Sequence, residues 1–309
     1  MEVKIENLVK HYGKTEAVRD ISFEFGAGDI FGFIGPNGAG KTTTIEVLAT
    51  LIEPTSGDAF VDGVSVSENP EKTRKLIGYM PDSLPAHNDI TVHEYIDFFA
   101  RAYGVPPKER KQVIEAVEAF TNLTKIKDKF LKALSKGMKQ RVSLARAMVY
   151  DPPILIMDEP AAGLDPRARI ELRELLKVLS DQGKAVLISS HILTELAEIC
   201  TGAVIIEQGQ LLKAGTIEEI QNNDTPHRTI SVIVLENLDS LHKTLLQTPR
   251  IEQIRIEGNQ LLFETLSSEA DIAQLLTMLV QKGFKIIEFR PVKANLEDIF
   301  MNITKGLVQ

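Results

Sequence analysis

At 309 residues the chain is long for one domain and comfortable for two, and its 43% hydrophobic and 25% charged residues match a globular protein that buries a core without covalent staples. A formal net charge of −8 disfavours a nucleic-acid-coating role, and the single cysteine, Cys200, rules out an internal disulfide or a cysteine-based metal site. No run approaches the ~18 apolar residues of a membrane span, and Met1-Glu2-Val3-Lys4-Ile5-Glu6 lacks a signal-peptide apolar region, so the chain is expected to stay inside the cell and to reach a membrane only through another subunit.

Val3, Ile5 and Leu8 open the chain as a strand, and Ile21-Ser22-Phe23-Glu24-Phe25 alternates as a half-buried one. After the turn Gly26-Ala27-Gly28-Asp29, Ile30-Phe31-Gly32-Phe33-Ile34 reads as a strand buried on both faces. A helix is predicted from Thr42 to Leu51, then a polar hairpin around Pro54–Asp58 and Asp62-Gly63. Val92, Tyr95, Ile96, Phe99 and Tyr103, then Val113, Ile114, Val117 and Phe120, recur at helical spacing and mark a helical lobe over about residues 83–150, in which Phe98-Phe99 is expected to be core. Ile154–Met157, Ala185–Ile188 and Val204–Ile206 are three further buried strands separated by helices, the order of an α/β sheet. Cys200 follows an apolar-periodic stretch and is expected to be buried.

Gln221–Pro226 is a polar linker. Beyond it the pattern reads strand (Thr229–Leu235), helix (Leu238–Leu246), strand (Ile251–Glu257), strand (Gln260–Thr265), helix (Ser268–Lys282), strand (Phe284–Arg290), with Gly258-Asn259 as a two-residue turn. That is a ferredoxin-like β-α-β-β-α-β order without a nucleotide motif. The division expected is therefore 1–222 and 223–309.

The chemistry concentrates in the first part. Gly35-Pro36-Asn37-Gly38-Ala39-Gly40-Lys41-Thr42 fits the phosphate-binding pattern G-x-x-x-x-G-K-[ST] and sits between a buried strand and a helix. Its glycines let backbone N–H groups curl round phosphates, Lys41 supplies a cation to the terminal phosphates, Thr42 offers a hydroxyl to Mg²⁺, and the helix directs its positive end at the anion. Ile154–Met157 runs into Asp158-Glu159, which places one carboxylate to hold Mg²⁺ and the next to polarise a water. Leu134-Ser135-Lys136-Gly137-Met138 precedes an apolar helix, and Ser135 is also an ordinary helix cap.

Taken in order, these segments over about residues 1–222 resemble the ATP-binding cassette, the nucleotide-binding subunit of a membrane transporter. The resemblance implies a P-loop NTPase fold, α/β with an antiparallel β subdomain and a helical subdomain, here followed by the small α+β domain. It implies that Tyr12 stacks on adenine, that Gly35 to Thr42 with Thr43 bind ATP, and that Asp158 and Glu159 are the magnesium-side acid and the catalytic base. Ala162-Gly163-Leu164-Asp165 matches the loop that crosses a dimer interface, and His191, after Ser189-Ser190, matches the histidine that contacts the γ-phosphate. Ser135 and Gly137 would face the ATP held by the opposite copy, so the partners implied are a second copy of the chain and a separate multi-span permease, with the subunit peripheral on the inner membrane face. The permease would dock near Asp82–Thr91, with Leu84-Pro85 and Phe98-Phe99 as contributors, and no nucleic acid is expected.

Two positions depart from the family pattern. Asp82 stands where Gln is usual and is expected, with Thr42 and Asp158, to belong to the magnesium site by holding water near the ion, and Lys136 and Met138 replace Gly and Gln in the usual Leu-Ser-Gly-Gly-Gln. The segment Leu296-Glu297-Asp298-Ile299-Phe300 resembles the tail of drug- and polysaccharide-exporter subunits, and it reads equally as an amphipathic helix packing on its own domain. Two rival readings are cassette ATPases of ribosomes, which usually carry two cassettes, and of DNA repair, which insert a coiled coil. One phosphate loop and no sustained heptads count against both, and Glu159 with His191 counts against a non-hydrolysing sensor.

Overall fold

The computed structural model describes residues 1–84, 89–190, 199–221 and 228–292. They fall into two compact units, one running from Met1 to Ile220 and the other lying between Gln221 and Ile299. His191, Pro85 and the segment Leu296–Phe300 lie outside the described residues.

In the first unit β1 (Glu2–Tyr12), β2 (Thr15–Gly26), β4 (Ser56–Val61) and β5 (Val64–Ser65) make an antiparallel sheet ordered β2-β1-β4-β5. The alternation read at Ile21–Phe25 is realised literally, with Ile21, Phe23 and Phe25 buried and Ser22 and Glu24 exposed. A second sheet holds β3 (Ile30–Ile34), β6 (Ile77–Met80), β7 (Ile154–Met157), β8 (Ala185–Ser190) and β9 (Gly202–Glu207) in parallel, with β10 (Gln210–Thr216) antiparallel at one edge, in the order β10-β9-β3-β8-β7-β6. Every residue of β3, β7 and β8 is buried, as the continuous apolar runs require. One core joins the two sheets and α1 (Lys41–Leu48), with Phe23 against Phe33 at 5.5 Å and Phe25 against Phe31 at 5.7 Å.

After the short α2 (Pro70–Arg74), the helical lobe is built from α3 (Val92–Ala102), α4 (Pro107–Phe120) and α5 (Lys136–Met148) around Tyr95, Ile96, Ile114, Val117, Leu131 and Val142. Thr91 and Glu94 close a capping box at the start of α3. Phe99 packs against this core, but Phe98 is 60% exposed, which corrects the expectation that both are buried. The buried stripe of α3 runs Val92, Tyr95, Ile96 and Ala100 at helical spacing and leaves Phe98 off it. Arg146 of α5 joins the lobe to the sheet, donating to the Tyr79 carbonyl at 3.0 Å beneath the Phe99 ring. α6 (Pro166–Asp181) then leads to β8. Cys200 is half-buried rather than fully buried.

The second unit has β11 (Arg228–Val234), a helix Leu238–Leu246, β12 (Ile251–Glu257), β13 (Gln260–Thr265), a helix Glu269–Gln281 and β14 (Ile286–Val292). Its antiparallel sheet is ordered β12-β13-β11-β14, with Glu257 paired to Gln260 across the Gly258-Asn259 turn. Ile230, Val232, Leu241, Leu245, Leu261, Phe263 and Leu279 form its core. The last strand begins two residues later than the sequence suggests, because Phe284 packs on this core before pairing with β11 starts. Among the described residues no helix is long and apolar enough to cross a membrane.

Candidate functional site

β3, β7 and β8 are neighbours in the parallel sheet, so the loops after them meet at one end. The loop after β3 holds Gly35 to Gly40. A Cβ on Gly35 would sit 2.4 Å from the Ile206 carbonyl oxygen, and one on Gly40 would sit 2.5 Å from that of Ala17. Gly40 also takes φ +103 as it starts α1, so both positions exclude any side chain. Pro36, Asn37 and Gly38 form the outer rim of the loop, with Asn37 and Gly38 exposed, whereas Ala39 packs inward. Thr43 follows on α1, half-buried.

Lys41 is only 6% exposed. Its ammonium donates to the carbonyls of Gly35 at 2.7 Å and Pro36 at 3.2 Å and lies 3.6 Å from Glu159 Oε1. Burial lowers its pKa from the ordinary lysine value, and the charges of Glu159 and Asp158 oppose that shift. A cation held by its own loop carbonyls and a carboxylate is placed to exchange those partners for phosphate oxygens.

Asp158, at the end of β7, is buried. Its Oδ2 accepts from the Thr42 hydroxyl at 2.9 Å and its Oδ1 from the Ser189 hydroxyl at 2.6 Å. Ser189 in turn accepts from the Glu159 backbone N–H at 2.8 Å, while Glu159 takes φ +48, a left-handed conformation costly for a side-chain-bearing residue. One fully buried hydroxyl thus fixes both carboxylate residues. A carboxylate and a hydroxyl joined by one hydrogen bond next to a lysine are hard oxygen donors, the chemistry that suits Mg²⁺ bound between protein and phosphate. Thr42 and Asp158 are the residues that would hold it.

The other predicted residues make contacts of their own. Tyr12 ends β1 and is 48% exposed, with Lys10 Nζ 5.1 Å from its ring centre. It is next to the β2 segment whose Ala17 meets Gly40. Asp82 is exposed, and its backbone carbonyl accepts from Gln140 Nε2 at 3.1 Å. Among the described residues no hydrogen bond or ion pair joins the Asp82 carboxylate to Thr42 or Asp158. Ser135 caps α5 by accepting from Met138 N at 3.3 Å, and a Cβ on Gly137 would face Leu164 and Ala168. Among the described residues no hydrogen bond joins Ser135 to Lys41, Thr42 or Asp158 of the same chain.

Sequence reasoning missed the role of Ser189 and of Gln140. Ser189 had a readable signal, a small polar residue ending an all-apolar strand, whereas Gln140 is a buried amide on α5 whose partner lies 58 residues away.

A family model described as ABC transporter matches residues 18–162, and one described as the C-terminal domain of DrrA1-3-like ATP-binding proteins matches residues 215–304. The chain is 30% identical over 305 residues to the linearmycin resistance ATP-binding protein LnrL of Bacillus subtilis, with 98% of each chain covered. It is 33% identical over 302 residues to the Nod factor export ATP-binding protein I of Cupriavidus metallidurans, covering 98% of this chain and 97% of that one. A solved structure of an ATP-binding subunit of an ABC transporter superposes with a TM-score of 0.66 at 31% identity, over 72% of this chain and 92% of that one.

Proposed function

From the premise that this chain belongs to the ATP-binding proteins of the ABC transporter family, with a DrrA-like C-terminal domain, we propose that it hydrolyses MgATP to drive an exporter. The observation that carries the reading is the network Lys41–Glu159 and Thr42–Asp158–Ser189, which sets a phosphate-binding cation, a magnesium-type donor pair and a base around one point.

In this reading the loop N–H groups and Lys41 hold the β- and γ-phosphates, and Thr42 and Asp158 hold the magnesium ion, which neutralises phosphate charge. Glu159 takes a proton from a water as its oxygen attacks the γ-phosphorus. The bond to the bridging oxygen breaks, leaving ADP and inorganic phosphate. Tyr12 stacks on the base, and His191 contacts the γ-phosphate. Ser135 and Gly137 act on the nucleotide of a second copy, so two chains enclose two nucleotides head to tail.

The permease is a separate multi-span protein, and the subunit works on the inner face of the membrane. Exposed Phe98 offers it a contact surface. Export as the direction follows the relatives named for Nod factor export and linearmycin resistance. The test is Glu159→Gln with MgATP in size-exclusion chromatography. A stable ATP-bound dimer with turnover abolished is expected, and a monomer that turns over at the wild-type rate refutes the assignment.

A further inference from the structure

The loop from Glu159 to Asp165 carries the base at one end and the cap of α6 at the other. Ala162 N donates to the Glu159 carbonyl at 3.0 Å and Leu164 N to that of Ala161 at 3.2 Å, and Asp165 caps α6 by accepting from Ala168 N at 3.0 Å. The loop is tightly wound, and the first turn of α5 lies against it. A Cβ on Gly137 would lie 3.6 Å from Leu164 and Ala168, and further along α5 Arg141 forms an ion pair with Glu171, which Arg167 also approaches at 3.4 Å.

Between these contacts lies Lys136. Its Nζ, Cδ and Cε come within 2.8, 3.2 and 3.3 Å of where a Cβ on Gly163 would be, so its stem runs directly over that glycine. Gly163 has φ +68, so glycine is required there for the backbone as well as for the lysine. A cation in the first turn is opposed by the positive end of the helix dipole, and that turn holds no acidic residue. Helix stability therefore does not account for Lys136, which is an exposed residue whose stem nevertheless lies along the exposed Gly163. Glycine, the residue usual at this position in the family, cannot make the contact.

We propose that Lys136 is a positioning residue for ATP hydrolysis: its stem, laid over Gly163, clamps the loop after Glu159 to the start of α5, so that the two move as one body. The inference rests on the reading of Glu159 as base.

Steady-state ATPase measurements on the full chain test it, with Lys136→Ala, Lys136→Met, Gly163→Ala and the double variant Lys136→Ala/Gly163→Ala. Lys136→Ala should lower kcat about three- to tenfold with KM for ATP within about twofold, because the phosphate loop is untouched. Lys136→Met, which keeps an apolar stem without charge, should restore at least about half of the wild-type kcat. The double variant should match Gly163→Ala within about twofold, because both changes remove one contact. Wild-type kcat in Lys136→Ala, no recovery in Lys136→Met, or single effects that multiply in the double variant would each overturn the proposal. Full turnover by Glu159→Gln would instead remove the reading on which it stands, and the two failures are told apart by which variant shows them.

Discussion

Replacing Ser189 by alanine removes one oxygen that serves two neighbours. The hydroxyl donates to Asp158 at 2.6 Å and accepts from the Glu159 N–H at 2.8 Å, and the serine is fully buried. A hydrogen bond to a charged group contributes about 1.5–3 kcal/mol, and a stranded buried N–H adds to the loss, so Ser189→Ala should destabilise the fold by about 2–4 kcal/mol. For a unit of this size that corresponds to a fall in Tm of about 5–15 °C, measurable by differential scanning fluorimetry. The same bond holds Glu159 in its left-handed conformation, so kcat should fall about tenfold while KM for ATP changes less than about twofold. Phosphate-release kinetics measure both constants. A variant with Tm within about 1 °C of wild type and unchanged kcat would refute the claim that this hydroxyl organises the carboxylates.

Gly40→Ala places a Cβ against the Ala17 carbonyl at a positive φ, and a loss of about 2–4 kcal/mol is expected, read as the shift of a urea unfolding midpoint. Lys41→Met should abolish MgATP binding in isothermal titration calorimetry. In the wild type, binding needs the ammonium form of Lys41, whose folded pKa is lowered by burial, so affinity should decline as pH rises through that lowered pKa, before the ordinary lysine range is reached. The empty protein should respond with the opposite sign. Charged buried Lys41 costs stability below its folded pKa, and that cost is relieved as pH rises from there towards the unfolded value, a slope that Lys41→Met should remove. Although the Cys200 residue as a whole is only half-buried, desolvation of its thiol pushes it up to about 12, so it should react with a disulfide reagent at pH 8 at least about tenfold more slowly than in the urea-unfolded chain.

The phosphate loop could be read directly because its chemistry is contiguous: glycines, lysine and threonine lie within one strand-to-helix turn. Asp158 and Glu159 were legible for a similar reason, because a fully apolar strand ending in acids announces where it points. Ser189 and Gln140 were harder to see. Each acts through a partner distant in sequence: Ser189 stands out as a polar residue in an apolar strand but nothing local names its partners, and Gln140 breaks no local pattern. Phe98 was misplaced because it was read as a pair with Phe99, although on α3 Phe99 falls among Val92, Tyr95, Ile96 and Ala100 and Phe98 turns away from them. β10 went unread because Gln210–Thr216 is half-exposed along its length and shows no clean alternation. In the second unit the strand and helix order followed from alternation and from the Gly258-Asn259 turn, whereas the pairing of β11 with both β13 and β14 joins segments distant in sequence and was not legible locally.

Thr42 meets Asp158 across 116 residues of chain, and Asp158 meets Ser189 across another 31. During synthesis the phosphate loop therefore emerges long before anything exists for it to face. A nascent chain that stops short of β8 has the lysine and the threonine but lacks the strand that seats between β3 and β7. ATP has no completed cradle until that central strand inserts. Nucleotide can therefore reward the finished sheet but cannot guide its early assembly, and the interval before β8 arrives is when the buried edges of β3 and β7 depend most on being shielded from other chains.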